Sequence, residues 1–333
     1  MTVLGGPYFE DLRVGDVADA APALTLTDGH AALHQAIVGD RLRLALDVAL
    51  AAQVLGSSTA MAHPALVCDV AIGQSTLLTQ RVIANLFYRG LLIWRPPLIG
   101  DTLTTTTEVV ALRQTTPRTG RPATGLAVLR VRTVDQHDRR VLDFCRCAML
   151  PLRDPDGRTG HDDDLDVFTA ELDGAALRDA CAHWDLAAFR AALPGAVHGD
   201  AVQVGDRWTL AGGDTVSAAP ELARLTLNVA MAHHDGATNA SGRRLVYGGH
   251  TIAIAAAQAT RALPNLVSIV AWSQCDHLGP VFEGDTLHSD LDVLAVTALP
   301  GGGTLVHLRS RVHAARDAQP VDVLDWRFVA VMA

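Results

Sequence analysis

The chain has 333 residues, of which 49% are apolar and 19% charged, and its formal net charge is −9. That length fits about two domains of ordinary size, with ample core material for a soluble globular protein. An acidic balance with no Lys/Arg cluster argues against nucleic acid or an anionic membrane as a partner, and no apolar run approaches the roughly 20 residues of a membrane span.

The opening residues, Met1 to Leu12, carry neither a basic segment nor an apolar one of the signal-peptide kind. The five cysteines are odd in number and lack CxxC spacing. Cys145 and Cys147 read as buried thiols on one strand face, and the expectation is a cytoplasmic protein with reduced thiols.

An entry segment ends in Val14 to Asp16. A helical stretch follows at about 28–56, on which His30 and His34 stand i, i+4 on a solvated or half-buried face. A second, small-residue helix is predicted at about 64–78. Four β-rich segments follow, at Val82–Ile93, Thr102–Gln114, Gly125–Asp135 and Val141–Leu150. Arg153 to Asp166 is polar and Asp-rich, and reads as a linker in which Asp162 to Asp164 are solvated rather than metal-binding. Apolar residues at helical spacing then predict one amphipathic helix over Leu177 to Leu193.

After this the order repeats. Val204 to Asp206 ends an entry segment, helices are predicted at about 219–235 and 250–263, and strands at Leu266–Cys275, Thr286–Ala298, Gly303–Ala314 and Val321–Val331. The repetition is literal in places. PPLIGDTL (Pro96 to Leu103) returns as PVFEGDTL (Pro280 to Leu287), offset by 184 residues (280 − 96), and VLDF (Val141 to Phe144) returns as VLDW (Val323 to Trp326), offset by 182 (323 − 141). Two matches at nearly one offset mean a duplicated domain. The copies are taken as 8–152 and 197–333, with 153–196 between them as an acidic linker plus helix.

Helices followed by a run of strands predict an α+β fold with antiparallel pairing. Ala253 to Leu263 is small or apolar nearly all round, so this helix is buried on most sides. The arrangement predicted for each copy is a hotdog, a curved antiparallel sheet around a central helix.

Tyr8 to Asp16 (YFEDLRVGD), Arg95 to Val109 (RPPLIGDTLTTTTEV) and Arg244 to Ile252 (RLVYGGHTI) together resemble the MaoC-type dehydratases. More narrowly, they resemble the double-hotdog acyl-CoA hydratases, including the mesaconyl-CoA hydratase branch. The resemblance spans both copies. It implies addition of water to a 2-enoyl-CoA thioester, or its removal from a 3-hydroxyacyl-CoA, as in fatty acid metabolism. No metal and no cofactor beyond the substrate's own coenzyme A are implied, and the pantetheine arm would lie in a groove between paired hotdogs. Tandem copies would pair within a monomer, or the chain would form a homodimer.

The family's hydratase motif is Asp-x-Asn-Pro-x-His-x-Asp, followed by a His-Gly turn into the central helix. On the first copy it falls on Asp40, Leu42, Ala45 and Asp47, and the turn becomes His63-Pro64. A carboxylate without an imidazole, and a proline without an N–H, read as a catalytically decayed copy. On the second copy it falls on Asn228, Ala230, His233 and Asp235, and the turn becomes Tyr247-Gly248, followed by Gly249-His250. The resemblance then implies that His233 is the acid/base and that Asn228, which cannot take a proton, positions the water. Asp235 or His234 would be a second proton-transfer group if the local helix turned either inward. The amides at Gly248, Gly249 and His250 would form the oxyanion site. Tyr247 reads as packing or pocket lining, and Arg243 and Arg244 as the receptor for the phosphates of coenzyme A or as a surface pair. Adjacent residues do not share a helix face, so His233-His234-Asp235 is not read as a metal site. Two other functions stand beside the hydratase: a non-catalytic acyl-CoA binding or regulatory protein on a decayed frame, and a thioesterase. The small residues along 251–260 suit either a tunnel for the acyl chain or a close-packed core.

Overall fold

The computed structural model describes residues 4–117, 122–195, 197–239, 241–316 and 319–333. Eight long strands carry the fold: β1 (Ala84–Ile93), β2 (Thr102–Gln114), β3 (Thr124–Val134), β4 (Arg140–Pro151), β5 (Leu266–His277), β6 (Thr286–Ala298), β7 (Thr304–Arg316) and β8 (Gln319–Met332). They form one antiparallel sheet in the order β2-β3-β4-β1-β5-β8-β7-β6, flanked by short edge strands. The two copies meet at β1 and β5, where Tyr88 faces Cys275 and Leu92 faces Ala271. An Arg89–Asp276 ion pair of 2.7 Å crosses the same seam.

The helices are α1 (Asp28–Val38), α2 (Arg43–Leu46), α3 (Val48–Leu55), α4 (Pro64–Gln74), α5 (Gly174–Cys181), α6 (Leu186–Ala192), α7 (Ala219–Leu225) and α8 (Gly248–Ala262). Every residue of α4 is buried, as is Gly249 to Thr260 of α8, which is what an all-round apolar helix requires. The repeat is visible in individual bonds. Gln74 Nε2 donates to the Leu103 carbonyl at 3.0 Å and Gln258 Nε2 to the Leu287 carbonyl at 2.8 Å. The repeated Gly-Asp-Thr-Leu motif is structural. Gly100 (φ 107°) and Gly284 (φ 87°) take a conformation that favours glycine, and the following Asp101 and Asp285 accept the backbone N–H of Leu98 and Phe282.

Four expectations change. The stretch 28–56 is three helices, because Gly39 at φ 67° closes α1 and Asp47 caps α3 through the Leu50 N–H. The stretch 219–235 is helical only to Leu225. Leu227 stands at φ 59° and ends α7, and the residues beyond it form loops and single 3-10 turns. The helix over Leu177 to Leu193 is two, because Asp185 starts a new one by accepting the Ala188 N–H. The acidic segment is not simply solvated: Asp163 Oδ2 accepts the Leu112 N–H on β2, and Leu165 buries itself against Ala111, Leu126, Val128 and Cys147. It covers a sheet edge that would otherwise offer free backbone groups.

Candidate active site

The loop after α7 meets the first copy at close quarters. Gly73 of α4 has no room for a side chain, because a Cβ there would collide with the Thr226 carbonyl. Val229 N–H then donates to Thr76 Oγ1 at 3.0 Å and Met231 N–H to the Gln80 carbonyl at 2.8 Å. These contacts hold Asn228 and His233 against a cavity of about 600 Å³ between the two copies. The second copy contributes Asn228, His233, Tyr247, Gly248 and His277 to its wall, and the first contributes Thr76, Tyr88 and Arg146.

Hydrogen bonding assigns the atoms. His233 Nδ1 lies 2.9 Å from the Leu245 carbonyl, which can only accept. Nδ1 therefore carries the proton and Nε2 the lone pair. Burial pushes this imidazole down to about 4, so it is neutral near pH 7. Asn228 Oδ1 accepts the Ala230 N–H at 2.9 Å, while its buried Nδ2 has no protein partner. The amide therefore leaves a free donor beside the cavity, where the family's carboxylate would offer an acceptor. Gly248 lines the cavity at the start of α8, among backbone N–H groups without helical partners.

Other expected site residues lie elsewhere. Asp235 is exposed and caps the 3-10 turn Gly236–Thr238 by accepting the Ala237 N–H, because the local chain is a turn and not an inward-facing helix. His234 Nε2 is bonded to the Asn228 carbonyl at 2.6 Å. The His250 N–H is already spent on the Tyr247 carbonyl at 2.9 Å, and its ring lies in the interior away from the cavity lining. Gly249 is needed for packing, since a Cβ would collide with Asp69 Oδ1. Tyr247 does both jobs read for it: its ring lines the cavity 5.6 Å from that of His233, and its hydroxyl donates to the Asp69 carbonyl at 2.9 Å. Arg244 is engaged with Glu283 at 2.6 Å. Arg243 is exposed and stacks on Phe282 at the cavity wall, 4.1 Å from the ring centroid.

In the first copy, Asp40 does have an imidazole. His63 Nδ1 accepts the Ala65 N–H, and Nε2 lies 3.0 Å from Asp40 Oδ2. The ring of His34 lies 5.1 Å from that of His63. It is buried instead of solvated, and burial, with His63 and His250 nearby, holds it well below the usual histidine range. Neither Asp40, His63 nor His34 lines the 600 Å³ cavity.

Three groups in or beside the cavity escaped the sequence reading. His277 presents an Nε2 without a protein partner, and a Cβ on Gly248 would fall 2.8 Å from this ring. Burial pushes the imidazole down to about 4. Comparison of the copies offered a signal here, because the 184-residue offset puts His277 where the first copy has the buried Ile93. Arg146 enters from β4, and Asp69 stands behind Gly249 with its carboxyl pushed well above the usual range by burial. All five cysteine thiols are likewise raised by burial, Cys145 to about 11 and Cys147 to about 12. A thiolate nucleophile is thereby disfavoured.

The chain is 32% identical over 321 residues to a β-methylmalyl-CoA dehydratase of Chloroflexus aurantiacus, covering 94% of this chain and 89% of that one. It belongs to the MaoC-like double-hotdog acyl-CoA hydratases and dehydratases. A mesaconyl-CoA hydratase of Cereibacter sphaeroides is 30% identical over 92% of this chain and 89% of its own. Among solved structures, a conserved hypothetical protein of Mycobacterium tuberculosis, described as having a double hotdog fold and as essential for bacterial survival during infection, superposes with a TM-score of 0.91 at 55% identity over 99% of both chains. A putative MaoC domain dehydratase of Chloroflexus aurantiacus gives 0.84 at 28% identity, over 98% of this chain and 97% of that one. No protein-family model matches the chain.

Proposed function

We propose that the chain adds water to a 2-enoyl-CoA, or removes it from a 3-hydroxyacyl-CoA, in the cavity between the copies. One observation carries this reading: His233, Asn228 and the start of α8 at Gly248 line a single cavity. Asn228 Nδ2 donates to the oxygen of the attacking water, and His233 Nε2 takes its proton as that oxygen bonds to C3. The electron pair moves to the thioester oxygen, which the Gly248 N–H stabilises. The imidazolium then returns the proton to C2, so one base serves both transfers. Arg243 at the cavity rim suits a phosphate of coenzyme A. Among the described residues no helix is long and apolar enough to cross a membrane, and five free thiols fit a cytoplasmic setting in fatty acid or related acyl-CoA metabolism. The chain would act as a monomer whose copies pair internally, or as a homodimer of such chains.

The test is hydration of a panel of trans-2-enoyl-CoA thioesters, followed as loss of the conjugated-thioester absorbance. Turnover that disappears in His233→Ala supports the assignment. The specific observation favouring the second reading, a binding protein, is that Asn228 replaces the motif carboxylate. Binding of CoA esters without turnover of any panel member would decide for it.

A further inference from the structure

A second pocket lies apart from the hydration chemistry. It encloses about 410 Å³, shares no lining residue with the 600 Å³ cavity, and forms where α5 and the segment before it cross the second half of the sheet. Each long strand of that half contributes to it: Ser273 from β5, Leu294 from β6, His307 from β7 and Arg327 from β8. Leu172, Leu177 and Arg178 close it from the α5 side.

No Asp or Glu lines this pocket, although the chain's net charge is −9. The neighbouring strands show how an arginine on this sheet is otherwise balanced. Arg309 Nε and Nη2 donate to the two carboxylate oxygens of Asp325 at 2.8 and 2.6 Å, and Arg89 pairs with Asp276 at 2.7 Å. Asp276 also accepts Gln274 Nε2. Arg327 stands between these groups, opposite Arg309 on one side and Gln274 on the other. Its buried Nε has no partner. Among the described residues neither Arg327 nor Arg178 forms an ion pair.

Like charges directly opposite each other destabilise a strand pair, so Arg327 facing Arg309 carries a cost that an anion would relieve. Two unbalanced guanidiniums at one pocket set up a positive potential there, and their planar donor forks suit a carboxylate or a phosphate. Burial holds the His307 imidazole below the usual histidine range, so it is neutral near pH 7 and offers one further hydrogen bond. The remaining wall is largely apolar, and Leu294 is still 43% exposed to solvent. A space of this size with a few polar groups on an apolar wall suits a small molecule.

We propose that this pocket is a second ligand site, taking a small amphiphilic anion whose carboxylate or phosphate head is held by Arg178 and Arg327 and whose apolar body lies against Leu172, Leu177 and Leu294. The site is independent of the hydratase reading. One side of it belongs to the segment joining the two copies and the other to the second copy's sheet, so an occupant ties that segment to the sheet.

The experiment is calorimetric titration of the whole chain with hexanoate, hexyl phosphate and hexan-1-ol, which share a chain length and differ in the head, and with inorganic phosphate, which lacks the apolar body. The expected result is that hexanoate or hexyl phosphate binds on the order of tenfold or more tightly than hexan-1-ol, and more tightly than inorganic phosphate. The tighter of the two anions identifies the head. Arg327→Gln should remove the preference over the alcohol, and Arg178→Gln should reduce it. Arg178 is exposed on α5, so its variant keeps the test open if Arg327→Gln does not fold. Failure of both hexyl anions to bind overturns the proposal, as does equal binding of hexan-1-ol. A preference that is unchanged in either folded variant overturns it too, because the anion is then held elsewhere.

Discussion

The chain contains two equivalent stations, and they have diverged in opposite directions. In each, a residue just past a helix uses one side-chain oxygen to accept the N–H two positions on: Asp40 from Leu42 at 2.6 Å, Asn228 from Ala230 at 2.9 Å. In each, the next backbone N–H donates to a threonine at the C-terminal end of, or just past, the other copy's central helix, Arg41 to Thr260 and Val229 to Thr76. The difference lies in the remaining atom. Asp40 turns its second oxygen to His63 in a closed interior, whereas Asn228 stands in the wall of an open cavity with its buried amide nitrogen unpartnered. The station that keeps the motif carboxylate is sealed, and the one that keeps an accessible imidazole has lost it. On the hydratase reading proposed above, the working copy is marked by its place in the cavity wall and not by retention of a motif residue.

The largest expected effect breaks this comparison at its active side. His233→Ala should lose about 10²–10⁴-fold in kcat/KM for enoyl-CoA hydration with little change in unfolding temperature. On the sealed side the pattern inverts. His63→Ala leaves Asp40 buried without its partner and should cost about 3 kcal/mol or more in chemical denaturation, with the turnover of the folded fraction unchanged. Loss of activity in folded His63→Ala would show that the two stations are coupled.

Acid titration sharpens the contrast. His233, His250 and His277 are each held near 4 by burial and His34 is lowered as well, whereas an unfolded histidine titrates near 6.5. Between those values the unfolded chain binds more protons, so stability falls as pH drops from about 6.5 towards 4. Each of the three imidazoles held near 4 should contribute a loss of about 2 kcal/mol by pH 5. Asp69, raised by burial, opposes this as one group against four. Unfolding midpoints at pH 7 and pH 5 measure the sum. If His233 is the base, kcat/KM measured where the chain remains folded should show no inflection near 6.5 and should decline only towards about 4.

Asn228→Asp tests the loss itself. Restoring the carboxylate should raise kcat on the order of tenfold, by supplying a second proton acceptor. A fall would mean that the site depends on the amide donor. The smallest effect belongs to the rim: Arg243→Ala should raise KM for CoA esters a few-fold, and by less as salt is added.

The architecture was legible in the sequence because its determinants are local or repeated. The strand segments alternate with period two, the central helices are small and apolar all round, and the Gly-Asp-Thr-Leu turn recurs at a fixed offset. Helix breaks were harder to read. Gly39 and Leu227 end helices by adopting left-handed conformations, and a leucine gives no advance sign of that. Within the site, His233, Asn228 and Gly248 could be found because a motif keeps them in register. Arg146, His277 and Asp69 could not be ranked, since their significance depends on neighbours supplied by the other copy. Asp40 was misread for the same reason: its imidazole comes from His63 at the start of α4 and not from the motif position.

The seam between β1 and β5 has a consequence for how this protein can change. In a symmetric dimer of identical chains, every substitution appears in both sites at once. A residue that seals one site seals the other. Here the two halves are joined in one polypeptide, and each wall of each station is encoded separately. An arginine can enter one station while an aspartate–histidine pair closes the other, and neither change is copied across the axis.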